Sequence, residues 1–124
     1  MSQAFFSLGA LSAFIAVAAG AFGAHALESR LEPDLLVVFE TGARYQMVHA
    51  LGLLAVALAS ARWPSDLWAW SGWCFVLGTL LFAGSLYALA LTGQRWLGAV
   101  TPLGGLCFLA GWALAAAAAW RAAI

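Results

Sequence analysis

The sequence predicts an all-α fold: a four-helix transmembrane bundle running up-down-up-down, with an interfacial helical extension before the second helix. Three observations predict it. The stretches Met1 to Leu27, Leu67 to Gln94 and Trp96 to Trp120 carry no Asp, Glu, Lys or Arg, and each exceeds the roughly 20 apolar helical residues that cross a lipid core about 30 Å thick. The 124 residues are 65% hydrophobic and only 8% charged, far from the composition of a soluble domain. The breaks between the helical stretches are short, so consecutive helices must run antiparallel.

Each element has its own signals. Helix one is expected over about 4–27. Ala24-His25-Ala26 resembles a signal-peptide cleavage site, but no Lys or Arg precedes it, so the positive leader such a peptide needs is missing and helix one is read as retained. Glu28, Arg30, Glu32 and Asp34 mark a charged loop, and Pro33 suits the first turn of helix two, expected over about 33–61. Its charged opening, Leu35 to Arg44, is placed at headgroup level or packed on the bundle, with Glu40 and Arg44 spaced i,i+4 to pair on one turn. Pro64 stops that helix, and Ser65 or Asp66 caps helix three, about 66–92. Helix four is expected over about 102–121, with Thr101 as N-cap and Pro102 in first position. The whole chain, 1–124, reads as one integral membrane domain.

Composition narrows the function classes. Five basic residues balance five acidic ones, leaving no basic patch for nucleic acid or for strong recruitment by anionic lipid. Cys74 and Cys107 sit in apolar runs that enter from opposite faces; they are read as thiols at different depths, unpaired small hydrophobes. There is no CxxC or Cys/His cluster, so no metal and no cofactor is expected.

The polar residues fall unevenly on this topology. Let side A be the face where helix one begins and side B the face where it ends. His25 closes helix one at side B; Glu40, Arg44, Tyr45, Gln46 and His49 open helix two there. Ser85, Tyr87 and Gln94 lie late in helix three, and Thr101 opens helix four. Side A has little beyond Arg62, Ser65, Asp66 and Arg121, with Trp63, Trp68, Trp70 and Trp120 as an aromatic belt. At 100° per residue, Gly42, Gln46, His49 and Leu53 share one face of helix two, with Glu40, Arg44, Met47 and Leu51 opposite. Gln46 and His49, the deeper pair, are expected to point inward. With Tyr87 and Thr101 they form the candidate polar cluster, and a hydrogen bond from helix two to helix three or four is expected through this set. His25, Glu40, Arg44, Tyr45, Ser85 and Gln94 are secondary candidates. In helix one, Gly9, Ala16, Gly20 and Gly23 make a small-residue stripe for close helix approach; Gly104 and Gly111 suggest another in helix four.

A haem held by His25 and His49 is disfavoured, because the two imidazoles differ in depth by roughly 6 Å of helical rise and face different ways. No nucleophile–base constellation is recognisable, and Glu40 and His49 lie on opposite faces of one helix.

Four segments appear in order: Gly20-Ala21-Phe22-Gly23-Ala24-His25-Ala26-Leu27, Arg44-Tyr45-Gln46-Met47-Val48-His49-Ala50-Leu51, Gly84-Ser85-Leu86-Tyr87 and Thr101-Pro102-Leu103-Gly104-Gly105. Together they resemble the YgdD/YwdK family of small bacterial membrane proteins, a domain of unknown function (423) with animal relatives. The resemblance implies a four-helix inner-membrane protein and brings no catalytic role. The leading expectation is a non-enzymatic accessory or structural component whose polar cluster serves partner or lipid contact. A transport or pore element for a small solute or proton, as an oligomer, is the alternative. The partners expected are membrane lipid and a second copy or another membrane protein, not nucleic acid.

Overall fold

The computed structural model describes residues 2–124 and contains four long helices, with no strand among the described residues. α1 is Ser2–Leu27, α2 is Pro33–Arg62, α3 is Asp66–Thr92 and α4 is Thr101–Ala123. α1, α3 and the run Arg95–Ala123 are long and apolar enough to cross a membrane. α2 is more polar, but its 30 residues span about 45 Å at 1.5 Å per residue, the thickness of a bilayer with its headgroups.

Local chemistry sets the helix ends. Pro33 occupies the first turn of α2. Ser65 caps α3, its hydroxyl accepting from Leu67 N at 3.2 Å. Gly93 ends α3 in the left-handed conformation, φ 73°, which only glycine adopts without strain. A 3₁₀ turn, Arg95–Ala99, then leads into α4. Thr101 is not the expected cap: it lies inside the first turn and makes no capping bond, because its hydroxyl is taken by Ser85.

α1 differs from a uniform helix. Ala18–Gly23 is a π-helical turn. Its extra residue per turn rotates the segment beyond it, so Gly9, Ala16 and Ala24 are buried while Gly20, expected on the same stripe, is exposed.

The extensive interfaces are α1–α2, α2–α3 and α3–α4. α2 is therefore flanked on both sides, which explains why the polar helix can lie in an apolar bundle. The packing unit is an aromatic ring seated on a glycine. Phe5 covers Gly72, Phe75 sits between Gly52 and Gly111, Phe108 covers Gly78, and Tyr87 covers Gly42. Of the expected stripes, Gly23 and Gly111 also face rings, while Gly9 against Ala50 O and Gly104 against the Phe82 backbone make the expected close approach of helix backbones. One apolar cluster, built on Phe5, Leu53, Val56, Trp68, Phe75 and Phe108, fills the side A half. A second, built on Ala24, Phe39 and Ala90, closes side B.

Three further expectations are corrected. Glu40 and Arg44 are both exposed and form no ion pair; the ion pairs among the described residues are His25–Glu28 at 3.8 Å and Arg95–Asp34 at 3.2 Å. Two exposed long side chains at a headgroup gain little by meeting. Trp68 does not join the belt: it is 5% exposed, and its indole N–H donates to Trp63 O at 2.9 Å, satisfying a carbonyl at the end of α2. Cys74 and Cys107 are free thiols, but their depths are close. A Cβ on Gly111 would lie 3.2 Å from Cys74 Cβ, and Cys107 is one turn from Gly111.

Candidate functional site

Between the two apolar clusters lies a layer of polar side chains, and α2 supplies its centre. Gly42, Gln46, His49 and Leu53 are all buried, while Glu40, Arg44 and Leu51 on the opposite face are exposed. A helix threaded between α1 and α3 presents its small and amide residues inward and leaves its charges outside the bundle.

Gln46 bridges three helices. Tyr87 in α3 donates its hydroxyl to Gln46 Oε1 at 2.6 Å, and Gln46 Nε2 donates to Ser12 Oγ in α1 at 3.2 Å. The tyrosine ring is held against Phe39, with centroids 5.0 Å apart, which fixes the hydroxyl over the amide.

His49 joins α2 to α4. Trp112 Nε1–H donates to His49 Nε2 at 3.0 Å, and His49 Nδ1 lies 2.8 Å from Tyr45 O. An indole nitrogen can only donate and a carbonyl can only accept. The arrangement therefore requires the neutral imidazole with its proton on Nδ1. Phe108 stacks on the imidazole face, centroids 3.5 Å apart, and Phe75 meets it edge-on at 5.4 Å.

Thr101 stands apart from this group. Its hydroxyl is 2.6 Å from Ser85 Oγ, and Ser85 also donates to Phe82 O at 2.9 Å. That pair ties α3 to α4 near side B. The four cluster candidates thus occur as separate links: Gln46 with Tyr87, His49 with Trp112, and Thr101 with Ser85. Among the secondary candidates, Tyr45 lends its carbonyl to His49 and leans on Phe82, centroids 4.5 Å apart. His25, Glu40, Arg44 and Gln94 are exposed.

Three participants were missed in the sequence. Ser12 lies one turn from Gly9 on the stripe that faces α2, so its small size was the available signal. Trp112 offered none, being one of several tryptophans in apolar runs. Ser71 donates to Gly111 O at 2.7 Å, a buried bond between α3 and α4. Thr79 is the exception to this pairing: its hydroxyl is buried without a partner, beside a crevice of about 190 Å³ that Ser12 and Gln46 also line.

The chemistry open to this layer is narrow. Gln46 has both ends of its amide engaged, and His49 both ring nitrogens. His25 lies exposed at the end of α1 beside Glu28, far in environment from buried His49. No group of three His, Cys, Asp or Glu gathers to hold a metal among the described residues.

Fold and layer together define a small multi-pass α-helical membrane protein whose polar side chains join helix to helix. The chain belongs to the family described as Protein of unknown function (DUF423), whose model matches residues 19–105. The matched stretch includes Gln46, His49, Tyr87 and Thr101 and stops short of Trp112. Among its relatives, UPF0382 membrane protein SSP2132 of Staphylococcus saprophyticus is 45% identical over 84 residues, 68% of this chain and 69% of its own. The UPF0382 membrane protein YwdK of Bacillus subtilis is 45% identical over 85 residues, 68% of this chain and 69% of its own. The UPF0382 inner membrane protein YgdD of Escherichia coli is 45% identical over 77 residues, 62% of this chain and 59% of its own. No solved structure matches the chain. The chain is accordingly an inner-membrane protein.

Proposed function

We propose that this chain is a non-enzymatic accessory or structural component of the membrane, whose interior polar groups fix the register of its own four helices. The observation that supports this reading is the mutual engagement of those groups: Tyr87, Gln46 and Ser12 form one chain of bonds, and Trp112, His49 and Tyr45 O another. A general base needs a free lone pair within reach of a substrate, and a ligand site needs unengaged donors. Both ring nitrogens of His49 are engaged, and each end of the Gln46 amide already makes a bond to a neighbouring helix. Contact with lipid, a second copy or another membrane protein falls to the outer surface, where His25, Glu40, Arg44 and Gln94 are exposed at side B.

The rival reading, a path for a proton or small solute, gains no continuation toward side A, where Phe5, Phe75 and Phe108 close the interior. The test is flux against stability. The purified chain is reconstituted in liposomes containing a pH-sensitive dye, alongside Gln46→Leu and His49→Ala. The scaffold reading expects no proton flux from any of the three and lower stability in both variants. Flux through the unmodified chain that either substitution abolishes, with helicity and assembly retained, would refute it.

A further inference from the structure

At side A, folding brings together two arginines that lie far apart in the sequence. Arg62 is in the last turn of α2 and Arg121 in the last turn of α4. Both line one cleft of about 400 Å³, whose other walls include Trp63, Pro64, Ser65 and Ala118. Neither guanidinium takes part in an ion pair among the described residues. Arg62 lies 5.8 Å from the centroid of the Trp63 ring, a cation–π contact that leaves its N–H donors free. Asp66, the acidic residue nearest Arg62 in the sequence, lines the neighbouring cleft with Ser65, Ser2 and Phe5 and not this one. Nor is Arg62 needed to satisfy the Trp63 carbonyl, since the Trp68 indole already does so. Trp63 and Trp120 are 43% and 70% exposed at the same end, marking the depth at which aromatic rings meet headgroups.

We propose that this cleft binds the phosphate of an anionic phospholipid headgroup. The planar guanidinium presents paired donors that match phosphate oxygens, and Ser65 adds a hydroxyl in the same cleft. Pro64 and Ala118 provide an apolar wall against which the glycerol end can lie. The chain's overall charge balance hides this site, because the two cations converge only in the folded bundle. Free phosphate shares the chemistry, but the cleft opens between helix ends at the lipid boundary, where phospholipid phosphate is the concentrated source. The site is at the opposite face from the groups discussed under the proposed function and stands or falls separately from that reading.

The experiment is native mass spectrometry of the full chain in detergent micelles, titrated with dioleoyl phosphatidylglycerol or dioleoyl phosphatidylcholine. At roughly a fivefold gain per arginine near a membrane surface, the pair should favour the anionic lipid by about thirtyfold. R62Q/R121Q should bind both lipids alike, and R62K/R121K should keep part of the preference. R30Q/R44Q, which removes two exposed cations from side B, should keep all of it. If the double glutamine variant does not fold, R62Q and R121Q taken singly should each lose about fivefold by the same arithmetic. Absence of a preference in the unmodified chain would overturn the proposal, as would full preference in R62Q/R121Q. Displacement of the bound lipid by millimolar sodium phosphate would assign the cleft to the free ion instead.

Discussion

The bond from Tyr87 to Gln46 can be isolated because each partner has a close substitute without the polar group. Tyr87→Phe keeps the ring against Phe39 and over Gly42 and removes only the hydroxyl that lies 2.6 Å from Gln46 Oε1. Bonds between helices in a membrane average about 0.6 kcal/mol and reach about 1.7, so Tyr87→Phe should lower stability by about that much. Gln46→Leu is harsher. It removes the bond to Ser12 as well and strands the Tyr87 hydroxyl among apolar neighbours, an unmade bond that costs about 1–3 kcal/mol. With Phe already at 87 no tyrosine hydroxyl is stranded, and Gln46→Leu, now losing only the bond to Ser12, should be milder. The four proteins of this cycle should therefore show a coupling of about 0.6–1.7 kcal/mol. Reversible unfolding in mixed micelles by added SDS, followed by far-ultraviolet circular dichroism, measures it. Additivity within about 0.3 kcal/mol would refute the claim that this bond holds α2 to α3.

Four other outcomes follow from the structure. Gly104→Ala should cost about 3 kcal/mol, the upper end for an overpacked core, because its Cβ would meet the Phe82 backbone, with Phe82 Cα 2.8 Å away. Gly84→Ala, which has open space around it, should stabilise α3 by up to about 1 kcal/mol; the same SDS titration checks both, and equal effects would contradict the close approach of α4 to the Phe82 backbone at Gly104. Nitrogen-15 NMR of the histidines in lipid should show His49 as the neutral Nδ1–H tautomer, and Trp112→Phe should shift the Nε2 resonance while leaving Nδ1 protonated; a proton on Nε2 would exclude the Trp112 bond. Thr79→Val should raise stability by about 1 kcal/mol or more, because it removes a buried hydroxyl with no partner; a loss of stability would show that the hydroxyl is engaged.

The fold was largely legible because membrane helices are written in long charge-free runs and their ends in single residues. Pro33, Ser65 and Gly93 each act at a terminus for a reason visible in their chemistry: a fixed φ, a side-chain acceptor, a tolerance of positive φ. What lay beyond the sequence depended on neighbours. The π turn at Ala18–Gly23 has no residue that demands it; it takes its place where α1 must keep Gly9, Ala16 and Ala24 all against α2. Trp68 read as a lipid-facing ring because nothing local reveals that the Trp63 carbonyl, five residues back, lies within its reach.

The polar layer shows the same division between what a helix face can reveal and what only packing decides. Periodicity alone separates the inward Gly42–Gln46–His49 face of α2 from the outward Glu40–Arg44 face, since 100° per residue fixes both. It cannot choose partners, because every side chain reaching one leaflet looks equally available. Thr101 illustrates the point. A threonine before proline is a good helix cap in isolation, yet Ser85 lies 2.6 Å away on α3 and takes the hydroxyl. Trp112 is the converse: nothing in its apolar run singles it out, and its ring is 44% exposed. Its single N–H nonetheless reaches inward to His49. An indole has one donor and no acceptor, so in a bilayer core that N–H needs an acceptor from a neighbouring helix. A ring nitrogen on α2 meets that need and at the same time fixes which nitrogen of His49 keeps its proton.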